Sequence, residues 1–273
     1  MKAILFALFV GLLMVGCGEA DLSDPKVVKK ASADAVDWLT LQNRKGLMYL
    51  PSENTPFSGR AEIWNMGGRK QFEVTLKDGK KEGLMSKWYY DGQKELEGNY
   101  KDGKEEGLWR FFYMSGQKKE EVNYEDGKKN GLETEWHKNG QKSEEVNFKD
   151  GKPDGLMTNW HENGQKEAEG NYKDGKLDGL WTDWYENGQK ELEANWKDDK
   201  EEGLWTSWYE NGQKESEQNY KEGKPMSVVV WKPNGEMCPV TNLKNGNGIL
   251  VWYRDDGTKL FRSTYKDGEE VKD

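Results

Sequence analysis

Cysteine and histidine are nearly absent from this sequence, with two of each in 273 residues. The cysteines are Cys17 and Cys238, and with Cys17 expected to carry a lipid (below) Cys238 is left without a partner, so the mature monomer is expected to hold no disulfide framework. Cys238 stands in Glu236-Met237-Cys238-Pro239 with no histidine nearby and reads as a small buried residue rather than a catalytic thiol. His137 and His161 share a column that otherwise holds tyrosine. A zinc site needs imidazole nitrogens about 2.0–2.1 Å from one ion, whereas backbones one repeat apart stand roughly 10 Å from each other. The histidines therefore read as stand-ins for tyrosine, and neither a metal nor a cofactor is expected.

A basic excess is lacking too. Forty-one Lys and Arg against 50 Asp and Glu leave a formal charge of -9, which argues against nucleic acid as a partner, since phosphates demand clustered cations. Nucleophile motifs, glycine-rich phosphate loops and metal-ligand spacings are missing. A Glu column from Glu97 to Glu217 falls on a solvated sheet face, so it reads as a charge ladder rather than as acid–base machinery, which needs a partly dry pocket. No catalytic residue is assigned, and an enzyme is not expected.

Long apolar runs are confined to Ala3–Val15, which follows Lys2 and ends in Gly16-Cys17-Gly18. That run falls short of the roughly 20 residues a bilayer span needs, and its layout is that of a secretory signal peptide. Leu13-Met14-Val15-Gly16-Cys17 resembles a bacterial lipobox, which implies a signal peptide over 1–16 and a lipidated Cys17. An ordinary signal peptide is the alternative. Gly18 in place of Asp points to the outer membrane of a bacterial envelope rather than the inner one. Residues 17–35 read as a tether and 36–58 as an N-terminal cap, because the first unit of an array has no neighbour to cover it.

What is present is repetition. A unit such as GLWTDWYENGQKELEANWKDDK (179–200) recurs every 24 residues, opening at Gly83, Gly107, Gly131, Gly155, Gly179 and Gly203, with a looser copy from Gly59. A period of this size means a repeat architecture. Each unit holds two strand-like runs, joined by Asn-Gly in the unit quoted (Asn187-Gly188), and Asp-Gly follows in most copies; both are hairpin signals. Although 33% of residues are charged, the 13 Trp and 12 Tyr at regular positions argue for order. The fold class expected is all-β, an elongated single-layer antiparallel meander with seven hairpin repeats over 59–226 and two degenerate repeats, or a cap, over 227–273.

Turn length decides which side chains share a face. A two-residue Asn-Gly loop places Trp184 opposite Glu191 and Leu180 opposite Asn195. A three-residue loop, Glu186-Asn187-Gly188, instead places Leu180, Thr182 and Trp184 beside Lys190, Leu192, Ala194 and Trp196. The second gathers the apolar residues, so it is the register expected. The opposite face then carries Met85, Trp109, Met157, Trp181 and Trp205 beside Tyr89, Tyr113, Tyr185 and Tyr209. Exposed aromatics of this extent mark a binding surface. The alternative is that the sheet curls and uses both stripes for its own packing.

Gly-Leu-Trp-x-x-Trp-Tyr-x-Asn-Gly-Gln-Lys followed by Asn-Tyr-Lys-Asp-Gly-Lys resembles the variant MORN repeat (membrane occupation and recognition nexus). Arg44-x-Gly46-Leu47-x-Tyr49 with Pro56-Phe57-Ser58-Gly59 is similar to the start of bacterial YwqK-type proteins, a family of antitoxins or immunity proteins. The resemblance covers about residues 38–268 and implies a protein partner, a toxin in the antitoxin case. The function expected is a non-enzymatic, membrane-anchored scaffold that binds a protein through Trp109, Trp181, Trp205, Tyr89, Tyr113, Tyr185 and Tyr209. The alternatives are a cell-wall carbohydrate binder and a structural envelope lipoprotein.

Overall fold

A computed structural model describes residues 34–271. Cys17, the leader and almost all of the tether lie outside the described residues. The remainder divides into two units, 34–140 and 141–271. Apart from one turn of 3-10 helix, every regular element among the described residues is a β-strand.

In 34–140, strands β1 (Ala35–Asp37), β2 (Gln42–Arg44) and β3 (Leu47–Tyr49) precede seven longer ones. These are β4 (Gly59–Trp64), β5 (Lys70–Lys77), β6 (Lys80–Trp88), β7 (Lys94–Lys101), β8 (Lys104–Phe112), β9 (Lys118–Glu125) and β10 (Lys128–Trp136). From β4 onward each strand pairs antiparallel with the next. β1 runs parallel to β4 and covers its edge, while β2 and β3 form a small hairpin. This N-terminal segment lays Val36, Trp38, Leu41, Met48 and Phe57 against Ala61, Val74, Leu76, Met85, Tyr100 and Trp109, the core of the unit.

In 141–271 the meander comprises β11 (Lys142–Lys149), β12 (Lys152–Trp160), β13 (Lys166–Lys173), β14 (Lys176–Trp184), β15 (Lys190–Lys197), β16 (Lys200–Glu201), β17 (Gly203–Trp208), β18 (Lys214–Lys221) and β19 (Lys224–Val230). β20 (Gly248–Tyr253), β21 (Lys259–Lys266) and β22 (Glu269–Val271) form a separate three-stranded sheet. Its Leu250, Val251, Trp252 and Tyr253 pack with Val228, Val230, Leu243 and Cys238. Cys238 is buried, as expected of it.

The local reasons for the meander are visible in its turns. Asp174 and Gly175 both take left-handed backbone (φ 51° and 86°), the two-residue turn that Asp-Gly favours. The Asn-Gly turn is different: only Gly188 is left-handed, its N–H donating to the Tyr185 carbonyl at 2.8 Å. Asn187 works through its side chain, accepting from the Gln189 N–H and donating to the Glu210 carbonyl of the following repeat at 3.0 Å.

Two bulges per repeat then set the register, and they correct the one expected. Trp184 does sit opposite Lys190, but the pairing slips by one between Asp183 and Trp184, so Trp181 faces Ala194, Asp183 faces Leu192 and Leu180 faces Asn195. A second irregularity, at the glycine that opens each unit, separates the Tyr172–Leu177 pair from the Gly170–Trp181 pair. A one-residue slip moves a strand's side chains to the other face. Leu180 is therefore 47% exposed, and its counterparts Leu84, Leu108, Leu132, Leu156 and Leu204 are exposed with it. The face holding Trp181, Ala194 and Trp196 is called the indole face below; the face holding Leu180, Thr182 and Trp184 is the leucine face.

Candidate functional site

The leucine face is satisfied repeat by repeat. Lys94 pairs with Glu97 at 2.5 Å and Lys118 with Glu121 at 2.8 Å, and Lys142, Lys166, Lys190 and Lys214 pair with the glutamate three residues on. Five of these lysines lie over the aromatic ring of the next unit: Lys118 over Trp136 at 5.2 Å, Lys142 over Trp160 and Lys166 over Trp184 at 5.7 Å, Lys190 over Trp208 at 5.8 Å and Lys214 over Trp231 at 5.4 Å. Each of the five is thus held by a carboxylate and a ring quadrupole together, and the Glu column is a charge ladder.

The indole face carries the aromatic residues expected to bind a partner, and the structure gives them packing work. Trp109 is 5% exposed, with its ring edge-on to Tyr100 at 5.1 Å and to Tyr124 at 6.0 Å. Trp205 contacts Trp196 at 4.9 Å and Tyr220 at 5.0 Å, and its indole N–H donates to the Asn195 carbonyl at 2.9 Å. Trp181 rests on Gly170, whose Cβ, were there one, would lie 2.1 Å from the indole ring; Gly98 stands in the same relation to Trp109. Where the column holds a thinner side chain, the facing residue on the preceding strand is valine: Val74 opposite Met85, Val122 opposite Glu133, Val146 opposite Met157. The stripe expected to be partly exposed is so at Trp181 and Trp205, which are half-buried over small residues, and is corrected at Trp109, which is core.

The tyrosine column ties one repeat to the next. Tyr89 donates to the Phe112 carbonyl at 2.7 Å, Tyr113 to Trp136 at 2.6 Å, Tyr185 to Trp208 at 2.7 Å and Tyr209 to Trp231 at 2.8 Å. Tyr209 is buried and the others are half-buried. His161 occupies the same column, and its Nε2 lies 2.8 Å from the Trp184 carbonyl. The histidine thus replaces tyrosine like for like.

An acidic character is expected of the face that carries Trp181, Asp183 and Glu191, but the burial of its carboxylates escaped the sequence reading. In 34–140, Glu120, Glu133 and Glu135 bring carboxylate oxygens within 4.8 Å of one another. Lys129 sits among them, bonded to Glu133 and 3.7 Å from Glu120, so an ammonium already takes the place a cation would fill. Burial, reinforced by Glu133, pushes the Glu120 carboxyl up to about 8. In 141–271, Asp183 accepts from the Trp181 indole N–H at 2.7 Å. Burial, with Glu191 and Glu167 nearby and the indole bond opposing, pushes Asp183 up to about 7. Burial also raises Glu215, against a hydrogen bond from Ser207 and with Asp255 and Glu191 adding to the rise. The signal for these groups was available: the column Lys87, Phe111, Glu135, Asn159, Asp183, Ser207 never repeats itself.

Fold and faces together define a tandem β-hairpin repeat protein. The variant MORN repeat matches residues 81–102, 105–126, 129–150, 153–174, 177–198 and 201–222. The chain is a MORN-repeat protein, with 22-residue matched units set at its 24-residue period. The looser copy from Gly59 lies outside these matches yet forms the hairpin of β4 and β5. A search of curated proteins finds none that matches the chain.

Proposed function

We propose that this MORN-repeat protein is a non-enzymatic scaffold that binds one protein partner, held at a bacterial envelope by a lipid on Cys17. The observation that carries the reading is the indole face of 141–271. Tyr172, Trp181, Trp196 and Trp205 remain half-exposed there, and β11 to β17 pack chiefly against their own sheet neighbours. Large aromatic groups left open on a stiff backbone are favoured anchors for a protein interface. An antitoxin or immunity role follows from the resemblance to YwqK-type proteins and makes a toxin the class of partner.

The test is co-purification of the full chain, tagged after Asp273, from its native envelope. One stoichiometric protein is the expected result, and its activity decides the antitoxin role. Recovery of glycan or lipid alone would replace the reading with a wall-binding or structural one. The anchor is tested separately by Cys17→Ala, which should move the chain out of the membrane fraction; unchanged membrane association would reject lipidation.

A further inference from the structure

The leucine face holds a row of side chains that the fold itself leaves unused. In 141–271, Leu156 pairs with Asn171, Leu180 with Asn195 and Leu204 with Asn219. Leucine and asparagine therefore alternate from strand to strand across β12 to β18, with one leucine per hairpin. Leu156, Leu180 and Leu204 are 46%, 47% and 47% exposed. Leu84, Leu108 and Leu132 are the exposed counterparts in 34–140. Both terminal segments pack on the indole face instead. The N-terminal one lies against Val74 and Met85, and the C-terminal one against Val228, which continues the indole face through Trp205 and Gln218. Beside the row, Lys166–Glu169, Lys190–Glu193 and Lys214–Glu217 are already paired. That flank is close to neutral on a chain whose formal charge is -9.

We propose that this leucine row docks on the same row of a second copy of the chain, so that two copies associate through their leucine faces. The reading is independent of the partner proposed for the indole face. Successive leucines stand about 9.6 Å apart, two strand spacings, with an asparagine between them. A leucine entering that gap stands about 4.8 Å from the leucine on either side, close to the separation of apolar side chains in contact. Occupying every gap takes a partner with the same period along a straight line, and a second copy has it. A two-fold axis parallel to the strands, placed between a leucine and its paired asparagine, lays the row on itself one strand out of step. Every leucine then sits over an asparagine of the other copy, the self-complementary contact that a two-fold interface requires. The asparagines tolerate this cover. Asn195 Nδ2 already donates to the Leu204 carbonyl at 3.0 Å and Asn219 Nδ2 to Ser227 Oγ at 3.3 Å, so their donors are not stranded. A strip three residues wide is about 10 Å across, too narrow to bury the roughly 800 Å² a side of a standard interface. The association is therefore weak and reversible.

The experiment measures self-association of the purified full chain by sedimentation over a range of concentrations, and in its native envelope by recovering one tagged copy through another. Pairs should form in both. L156N, L180N and L204N together put in the residue the row already carries, at exposed positions, and should weaken pairing about tenfold. Adding L84N, L108N and L132N should weaken it further. D183N with E215Q, on the indole face, should leave it unchanged. Because both copies carry the same net charge, added salt should maintain or strengthen the pair. Undiminished pairing of the leucine variants with an unaltered circular dichroism spectrum overturns the proposal, as does a pair that salt dissolves. A chain that stays single at every concentration overturns it too. Pairs found in the envelope but not with the purified chain are bridged by another molecule, which overturns self-docking while leaving the scaffold reading intact.

Discussion

Gly170→Val tests the packing of the indole face at its tightest point. Gly170 is absent from the residues with left-handed backbone, so valine is conformationally acceptable there and even suits a strand. The cost comes from collision alone. A Cβ at Gly170 would lie 2.1 Å from Trp181 Cε3 and 2.9 Å from Cζ3, against the 3.5–4.0 Å at which carbons rest. The indole must shift by about 1.5 Å or the strands must part, and overpacking of this kind costs about 3 kcal/mol. Trp181→Met alone leaves a gap over Gly170 and costs about 2 kcal/mol, below the value for a fully buried indole because Trp181 is half-exposed. Together the two changes rebuild the Val146–Met157 pair found one period earlier. The double variant should therefore lie within about 1 kcal/mol of the parent, a coupling on the order of 4 kcal/mol where independent sites add. Urea unfolding followed by far-ultraviolet circular dichroism is the assay, since removing an indole alters the fluorescence. Repeat arrays depart from two-state unfolding, so the whole curve is fitted with nearest-neighbour terms. Additive costs, or a Gly170→Val change below about 0.5 kcal/mol, would refute the size-matching argument.

The remaining predictions address the register, the ties and the charges. Leu180→Lys should change stability by no more than about 0.5 kcal/mol, because the side chain is exposed; a loss of several times that in the same unfolding assay would return Leu180 to the core. Tyr185→Phe removes the hydroxyl that donates to the Trp208 carbonyl and should cost about 1 kcal/mol by thermal melting. Burial pushes the Asp183 carboxyl up to about 7 in the folded chain, from an ordinary 3.8. The folded chain thus holds a proton that the unfolded chain has lost, and stability falls as pH rises through that window. Asp183→Asn should match the parent near pH 4 and exceed it at pH 8, by a ceiling of roughly 4 kcal/mol before relaxation. An equal or lower melting temperature at pH 8 would contradict the burial of that charge.

Much of the fold was legible because the local signals are strong and repeated. The Asp174-Gly175 turn, the strand Lys190–Lys197 and the tyrosine stand-in role of His161 all follow from residue type and spacing. The choice of face was not legible. Gathering Leu180 with Leu192 and Ala194 maximises apolar contact on paper, but that count assumes unbroken pairing. The bulge at Asp183–Trp184 and the irregularity at the opening glycine each cost the ladder a regular pair, and neither has a signature that separates it from an ordinary turn residue. The size match of Gly170 with Trp181 and of Val146 with Met157 was present in the sequence all along. It became readable only when the register placed those columns opposite each other.

The register also bears on what kind of partner the array suits. On the leucine face the columns barely vary: Leu at six positions from Leu84 to Leu204, Lys at six from Lys94 to Lys214, Glu at six from Glu97 to Glu217 and Asn at six from Asn99 to Asn219. Those lysines and glutamates are engaged with one another and with the next unit's ring, so uniformity there is the uniformity of a lattice holding itself together. On the indole face the corresponding columns read Lys87, Phe111, Glu135, Asn159, Asp183, Ser207 and Leu96, Glu120, Glu144, Ala168, Leu192, Ser216. A periodic polymer, glycan or otherwise, would be matched by the same residues in every repeat. An aperiodic surface suits an aperiodic ligand, and the protein partner proposed above is one. Several of its varied residues, Asp183 and Glu120 among them, are carboxylates that burial penalises. A fold under selection for stability alone would have replaced them with the apolar residues that other repeats carry in the same columns, Phe111 for Asp183 and Leu96 for Glu120. Their retention where the backbone does not need them is the physical reason to place recognition on that face.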